Sequence, residues 1–187
     1  AFVSSAVSSA ALLPLAAPAI AQPARTQTLR FIPQANLTSL DQIWTTATVT
    51  NNHGYYVYDT LYSADAQMRP RPQMAEGHTV SDDGRTWRIR LREGLRFHDG
   101  TPVRAIDANA SIRRWCKRDA MGQILDAVVA EWNTPDDRTM ELKLTRPFPL
   151  LLDALAKPDA SVPFVMPERL ARTDANKAIS EVVGSGP

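Results

Sequence analysis

The residues of this 187-residue chain that could do chemistry are few and scattered. His53, His78 and His98 fall in separate stretches, and no H-x-x-H or H-E-x-x-H spacing puts two imidazoles on one helix face to cage a metal. The single thiol, Cys116, stands beside Trp115 on an apolar stripe and reads as a small buried hydrophobe rather than a nucleophile. One cysteine also excludes an intramolecular disulfide and a zinc site built from several thiolates. The sequence has no G-x-S-x-G elbow, no G-x-G-x-x-G and no G-x-x-x-x-G-K, so hydrolase, dinucleotide and nucleoside triphosphate chemistry each lack their defining part. Gly184-Ser-Gly-Pro187 is too short and too terminal for a phosphate loop. No catalytic residue, metal or cofactor is expected.

Charge points the same way. Twenty-one Lys and Arg against 20 Asp and Glu leave a net +1, too weak a field to gather nucleic acid or an anionic membrane. With 44% hydrophobic and 22% charged residues the composition is that of a folded, water-soluble domain.

The elements that must position any site alternate between strand and helix patterns. Thr28–Pro33 predicts a short strand stopped by proline, Ser39 or Asp41 is placed to cap a helix, and Thr46–Leu61 predicts a helix. His78–Val80 and Thr86–Leu91 flank Ser81-Asp-Asp-Gly84, a hairpin signal because Asp and Gly tolerate the positive φ of tight turns. In the second strand Trp87, Ile89 and Leu91 share one face, and Arg88 and Arg90, with Arg92 beyond them, share the other. Three arginines in a row could bind an anion or a partner, but at period two opposite an apolar face they are more simply the solvated side of a sheet. A turn at His98–Pro102 precedes a helix over Ala105–Lys117 whose Ala108, Ile112, Trp115 and Cys116 form one stripe. Its basic end, Arg113 to Arg118, suits the negative end of the helix dipole. Met121–Val129 continues as helix or helix-to-strand connection. Asn133–Asp137 predicts a turn before the strand Thr139–Leu144, completing a second hairpin. Beyond it the pattern predicts a short helix over Leu150–Ala156, a buried strand over Val162–Met166 and a helix start at Pro167-Glu168.

The first residues differ from the rest. Ala1–Ala24 carries no charge, and the apolar run Ala10–Ala21 is broken by Pro14 and Pro18, so it falls short of the about 20 continuous apolar residues of a spanning helix. Small residues at Ala19-Ile20-Ala21 fit the A-x-A rule for signal peptidase, and residues 1–21 are expected to be the remainder of an export signal. The mature protein is then expected outside the cytoplasm.

The run from Gln73-Met-Ala-Glu-Gly-His through Ser81-Asp-Asp-Gly-Arg-Thr-Trp-Arg-Ile-Arg-Leu91 to Phe97-His-Asp-Gly-Thr-Pro-Val-Arg-Ala-Ile-Asp107 resembles the family 5 extracellular solute-binding proteins, the peptide and nickel group of ABC importers. Ser39-Leu40-Asp41, Tyr58-Asp59-Thr60-Leu61 and Gly184-Ser-Gly-Pro187 extend the likeness outward. One departure is Arg104 ahead of Ala105-Ile106-Asp107, where many members carry a small capping residue. The resemblance implies an α/β fold: the N-terminal part of a two-lobed periplasmic-binding-protein fold of the peptide-binding class, with the second lobe outside this sequence. It implies residues 22–75 as the first part of lobe I, 76–165 as an inserted subdomain of hairpins, and 166–187 as the return toward the inter-lobe connection. It further implies a periplasmic receptor that binds a peptide or other small solute, delivers it to an ABC permease and has no nucleic-acid partner. By position, one wall of its pocket would be formed by Asn36, Trp44, His53, Tyr55, Tyr56, Arg118 and Met121. A truncated or non-binding secreted module is the competing expectation, ahead of a secreted enzyme.

Overall fold

The computed structural model describes residues 31–187, and Pro33–Pro187 forms one compact unit. The export signal expected at residues 1–21, and residues 28–30 of the strand expected at Thr28–Pro33, lie outside the described residues; Phe31–Pro33 is not strand.

The centre of the unit is a four-stranded antiparallel sheet made of the two expected hairpins. Its strands are β4 (Ala75–Val80), β5 (Thr86–Leu91), β6 (Val129–Asp136) and β7 (Thr139–Leu144), in the order β4-β5-β7-β6. Gly84 closes the first hairpin at φ 69°, a left-handed conformation that costs glycine little, while its N–H donates to the Ser81 carbonyl at 2.8 Å. Trp87, Ile89 and Leu91 of β5 and Met140, Leu142 and Leu144 of β7 are buried, whereas Arg88, Arg90 and Arg92 are exposed, as the alternation predicts. The arginine face is neutralised by cross-strand pairing: Arg88 Nε lies 2.7 Å from Glu141, its register partner, and Arg90 Nε 3.3 Å from Glu76.

The second hairpin corrects one expectation. Asn133–Asp136 is not a turn: β6 runs through it, with a register shift between Asn133 and Asp136, and Asp137-Arg138 makes the turn. Pro135 falls within that irregularity of the outermost strand, where its missing N–H breaks no ladder that the sheet needs.

Helix α2 (Ala105–Cys116) packs across this sheet. Its stripe of Ala108, Ile112, Trp115 and Cys116 is 0–1% exposed, and the Trp115 indole donates to the Ser161 carbonyl at 2.8 Å. Truncating a buried side chain such as Trp115 to alanine typically costs about 3–5 kcal/mol. The helix start lacks a side-chain cap at Arg104, but Asp107 reaches back to accept the Arg104 backbone N–H at 2.8 Å.

Around this centre lie α1 (Thr48–Val57), β1 (Asp59–Thr60), β2 (Tyr62–Ala64), β3 (Pro70–Pro72), α3 (Ala120–Asp126), α4 (Leu151–Leu155), β8 (Phe164–Val165) and α5 (Glu168–Ala171). Helix α1 is shorter than the Thr46–Leu61 expected, because Asp59-Thr60 pairs antiparallel with Phe164-Val165 and Tyr58 turns extended into the core. The C-terminal segment supports that exit. Gly186 N–H donates to the Val57 carbonyl at 2.9 Å, His98 N–H to the Gly184 carbonyl at 2.8 Å, and the His98 ring Nε2 lies 3.0 Å from the Gly186 carbonyl. A Cβ on Gly184 would fall 1.8 Å from the Val57 oxygen, so only glycine allows this approach. Every strand pairing among the described residues is antiparallel, and the strands and helices together give the mixed α/β composition expected.

Candidate ligand-binding wall

The site residues expected from the sequence sit at the loop after residue 33, on α1 and at the junction of α2 and α3. Asp41 builds the first part. Its Oδ1 accepts the N–H groups of Ile43 (3.0 Å) and Trp44 (3.3 Å), closing a turn rather than capping a helix, and this holds the Trp44 ring outward with 42% exposed. Arg118, just past α2, donates to the Trp44 carbonyl at 3.2 Å and to Asn176 Oδ1 at 2.9 Å, while the Trp44 indole donates to the Asn176 carbonyl at 3.3 Å. Trp44 and Arg118 are therefore brought together, with Asn176 as a third member that sequence reasoning missed.

The anchor beneath this cluster is an ion pair that was also missed. Arg114 was expected to serve only the helix dipole, with its basic neighbours. Instead its side chain is 2% exposed and grips Asp41 with both terminal nitrogens at 3.0 and 2.8 Å, while donating to the carbonyls of Thr173 (3.0 Å) and Lys177 (2.8 Å). Asp41 Oδ2 also accepts the Ile179 N–H at 2.9 Å. Burial opposes the Asp41 charge, but the Arg114 guanidinium and the N–H groups of Ile179 and Ile43 outweigh it and hold the carboxyl below its usual range. Trp44, Arg118 and Asn176 are thus held by a rigid, satisfied network underneath.

The second part of the wall is on α1. Tyr55 is 43% exposed; its ring edge packs on Phe164 with centroids 5.1 Å apart, and its hydroxyl donates to the Pro158 carbonyl at 2.6 Å. Burial and the nearby Asp159 carboxylate push the phenol upward, so Tyr55 stays a neutral donor. Asn51 Nδ2 donates to the Ala160 carbonyl, and Ala160 takes a left-handed φ of 59°, a conformation costing roughly 1–2 kcal/mol. The loop 157–161 links the two parts: Lys157 pairs with Asp119, next to Arg118, while Pro158 and Ala160 receive the α1 side chains. Asp119 meanwhile caps α3 by accepting the N–H groups of Met121 (2.9 Å) and Gly122 (3.1 Å).

The remaining expected residues are less tied in. Tyr56 is 59% exposed, and Asn36 is exposed with no side-chain hydrogen bond among the described residues. His53 is half-buried, with a shielded Nδ1 that finds no partner among the described residues, and burial lowers its pKa. Met121 is half-buried and packs against the core. Of the adjacent tyrosines neither is fully buried; the core position belongs to Tyr58, 1% exposed.

The surface so built offers exposed aromatic rings and a fixed guanidinium beside backbone carbonyls. These groups can stack and hydrogen-bond. Among the described residues no group of three His, Cys, Asp or Glu is placed to hold a metal ion, and no helix is long and apolar enough to cross a membrane.

Comparison with known proteins agrees with this architecture. The chain is 42% identical over 152 residues to the "probable peptide ABC transporter periplasmic-binding protein y4tO" of Sinorhizobium fredii (strain NBRC 101917 / NGR234), covering 81% of this chain and 28% of that protein. It is 29% identical over 157 residues to the glutathione-binding protein GsiB of Shigella flexneri, covering 82% of this chain and 30% of that one. Among solved structures it superposes on the periplasmic binding protein AgaA of A.tumefacien R10, in complex with agropinic acid, with a TM-score of 0.66 and 27% identity, over 80% of this chain and 30% of that chain. The chain thus spans about 30% of the length of the relatives it matches. Residues 69–187 match the model of the bacterial extracellular solute-binding proteins, family 5, and the chain belongs to that family.

Proposed function

We propose that this chain forms part of lobe I of an extracytoplasmic solute-binding receptor that binds peptides and hands them to an ABC permease in the membrane. In this reading residues 1–21 direct export to the periplasm and 22–75 open the lobe. Residues 76–165 form its inserted subdomain, and 166–187 lead toward a second lobe that closes over the solute. The observation that carries it is the 42% identity to a peptide transporter's periplasmic-binding protein across 81% of this chain. The exposed Trp44, Tyr55 and Tyr56 and the tethered Arg118 support it, since rings and a fixed guanidinium can hold a peptide backbone and side chains without attacking them. The ligand contacts are assigned to Asn36, Trp44, His53, Tyr55, Tyr56, Arg118 and Met121, with Asn176 added.

Incubation with a defined peptide mixture, followed by native mass spectrometry, tests the reading. Intact peptide should be retained, and Trp44→Ala should weaken retention about tenfold, the typical cost of truncating an aromatic anchor. Its melting temperature should stay within a few degrees, because the Trp44 ring is 42% exposed. Cleaved peptide, or retention indifferent to both Trp44→Ala and Arg118→Ala, would overturn it.

A further inference from the structure

Away from that wall, a groove of about 280 Å³ runs between α2 and α5. Asn109, Arg113 and Lys117 form one row along α2, at i, i+4 and i+8, and Arg172 faces them from beyond α5, over a floor that includes Ile106 and Ala110. No carboxylate lines the groove. Arg113 makes no ion pair among the described residues. Lys117 and Arg172 each touch one acid outside the lining, Asp126 at 2.7 Å and Glu168 at 2.6 Å, which leaves donors on both free. Arg114 also borders the groove, but its charge is spent on Asp41.

Asn109 is the informative member. It is 4% exposed, yet its side-chain amide hydrogen-bonds to nothing among the described residues, and it lines the groove. Its amide is open to the groove rather than sealed from water, so a ligand can offer it an acceptor in place of water.

We propose that this groove docks an extended acidic segment of a partner protein. Spacing favours an extended chain. Four residues of helix advance about 6 Å, so Arg113 stands about 6 Å from Asn109 and from Lys117 along the axis. Alternate side chains of an extended strand recur on one side every ~6.6 Å, so acidic residues at every second position match the row. The row spans about 12 Å, longer than one phosphate or carboxylate can bridge. A flat anionic surface would not reach Asn109 at the bottom of a concave groove, and the net charge of +1 offers little long-range pull toward one. The groove shares none of the assigned ligand contacts of the Trp44 and Tyr55 wall, so it stands or falls separately from the peptide-receptor reading.

The test is an NMR titration of the full chain with acetylated, amidated Glu-Ser-Glu-Ser-Glu, with the Gln-Ser-Gln-Ser-Gln counterpart and with sodium phosphate, at fixed ionic strength. The acidic peptide should shift amides of α2 and of residues 171–175 and the glutamine peptide should not. Arg113→Glu should weaken binding at least tenfold and Asn109→Leu several-fold, with Lys117→Gln as a further exposed-site control should either of them alter the melt. Equal binding of the two peptides, acidic-peptide binding that survives Arg113→Glu and Lys117→Gln, or displacement of the peptide by equimolar phosphate would each overturn the proposal, the last by making this a small-anion site.

Discussion

Replacing Arg114 with methionine removes the guanidinium and keeps most of the volume of a side chain that is 2% exposed. Asp41, 1% exposed, then keeps only the N–H groups of Ile43, Trp44 and Ile179 as partners. Removing one member of a buried pair typically costs about 3–5 kcal/mol, because the other charge is left uncompensated. At roughly 2–4 °C per kcal/mol for a chain of this size, the melting temperature should fall by roughly 6–20 °C. The pH dependence identifies the cause. In the native protein the Asp41 carboxyl titrates below its ordinary 3.8, so its stabilisation is present above that pH and lost as the pH falls through the lower folded value. Without Arg114 burial dominates and the folded value rises above 3.8. The stabilisation then runs the other way, present in acid and lost as the pH rises. Urea unfolding followed by tryptophan fluorescence should therefore show a gap between the two proteins that widens as the pH rises through the carboxylate range. Adding Asp41→Asn should recover part of the loss, since the amide keeps an acceptor oxygen and carries no charge. A gap below about 1 kcal/mol, or one that does not change with pH, would refute the assignment of a charged, buried pair.

Gly184→Ala should push the C-terminal segment off Val57 and cost about 1–3 kcal/mol, with faster amide exchange at His98 and Gly186; unchanged exchange would contradict the close approach. Cys116 is 1% exposed and burial pushes its thiol pKa upward, so a thiol reagent should label it only after denaturation. Rapid labelling of the native protein would displace α2 from the sheet. Tyr55→Phe deletes one hydrogen bond to Pro158 and should cost about 0.5–1.5 kcal/mol with faster exchange in residues 159–161; no change in that loop would show that the hydroxyl does not hold it.

Elements whose evidence is local could be read from the sequence. The β4–β5 hairpin is written in the alternation of Thr86–Leu91 and in Ser81-Asp-Asp-Gly84, and α2 in the spacing of Ala108, Ile112 and Trp115. The end of α1 could not be read, because the pairing of Asp59-Thr60 with Phe164-Val165 and the glycines near residue 185 act on it from more than 100 residues away. The strand through Pro135 looked like a turn because its composition is that of a turn, and only pairing with β7 overrides it. For the candidate wall, position along the chain named Trp44 and Arg118, which the fold brings together, but gave no hint of Asn176 between them, which has no pattern around it. Arg114 was hidden for a related reason: in a basic run, nothing local distinguishes the arginine that will be buried from those that stay in water.

The bond between Asp41 and Ile179 joins residues 138 positions apart, and Arg114 bonds both Asp41 and, two residues short of Ile179, the Lys177 carbonyl. Closing so long a loop carries an entropy cost that local contacts do not offset, so the buried Arg114–Asp41 pair gains its last partners, the Thr173 and Lys177 carbonyls and the Ile179 N–H, late in folding. Until residues 173–179 have been synthesised and brought back, a chain with α2 already on its sheet holds an Arg114–Asp41 pair that is short of those partners. Completion of this buried network is therefore tied to the arrival of residues 173–179.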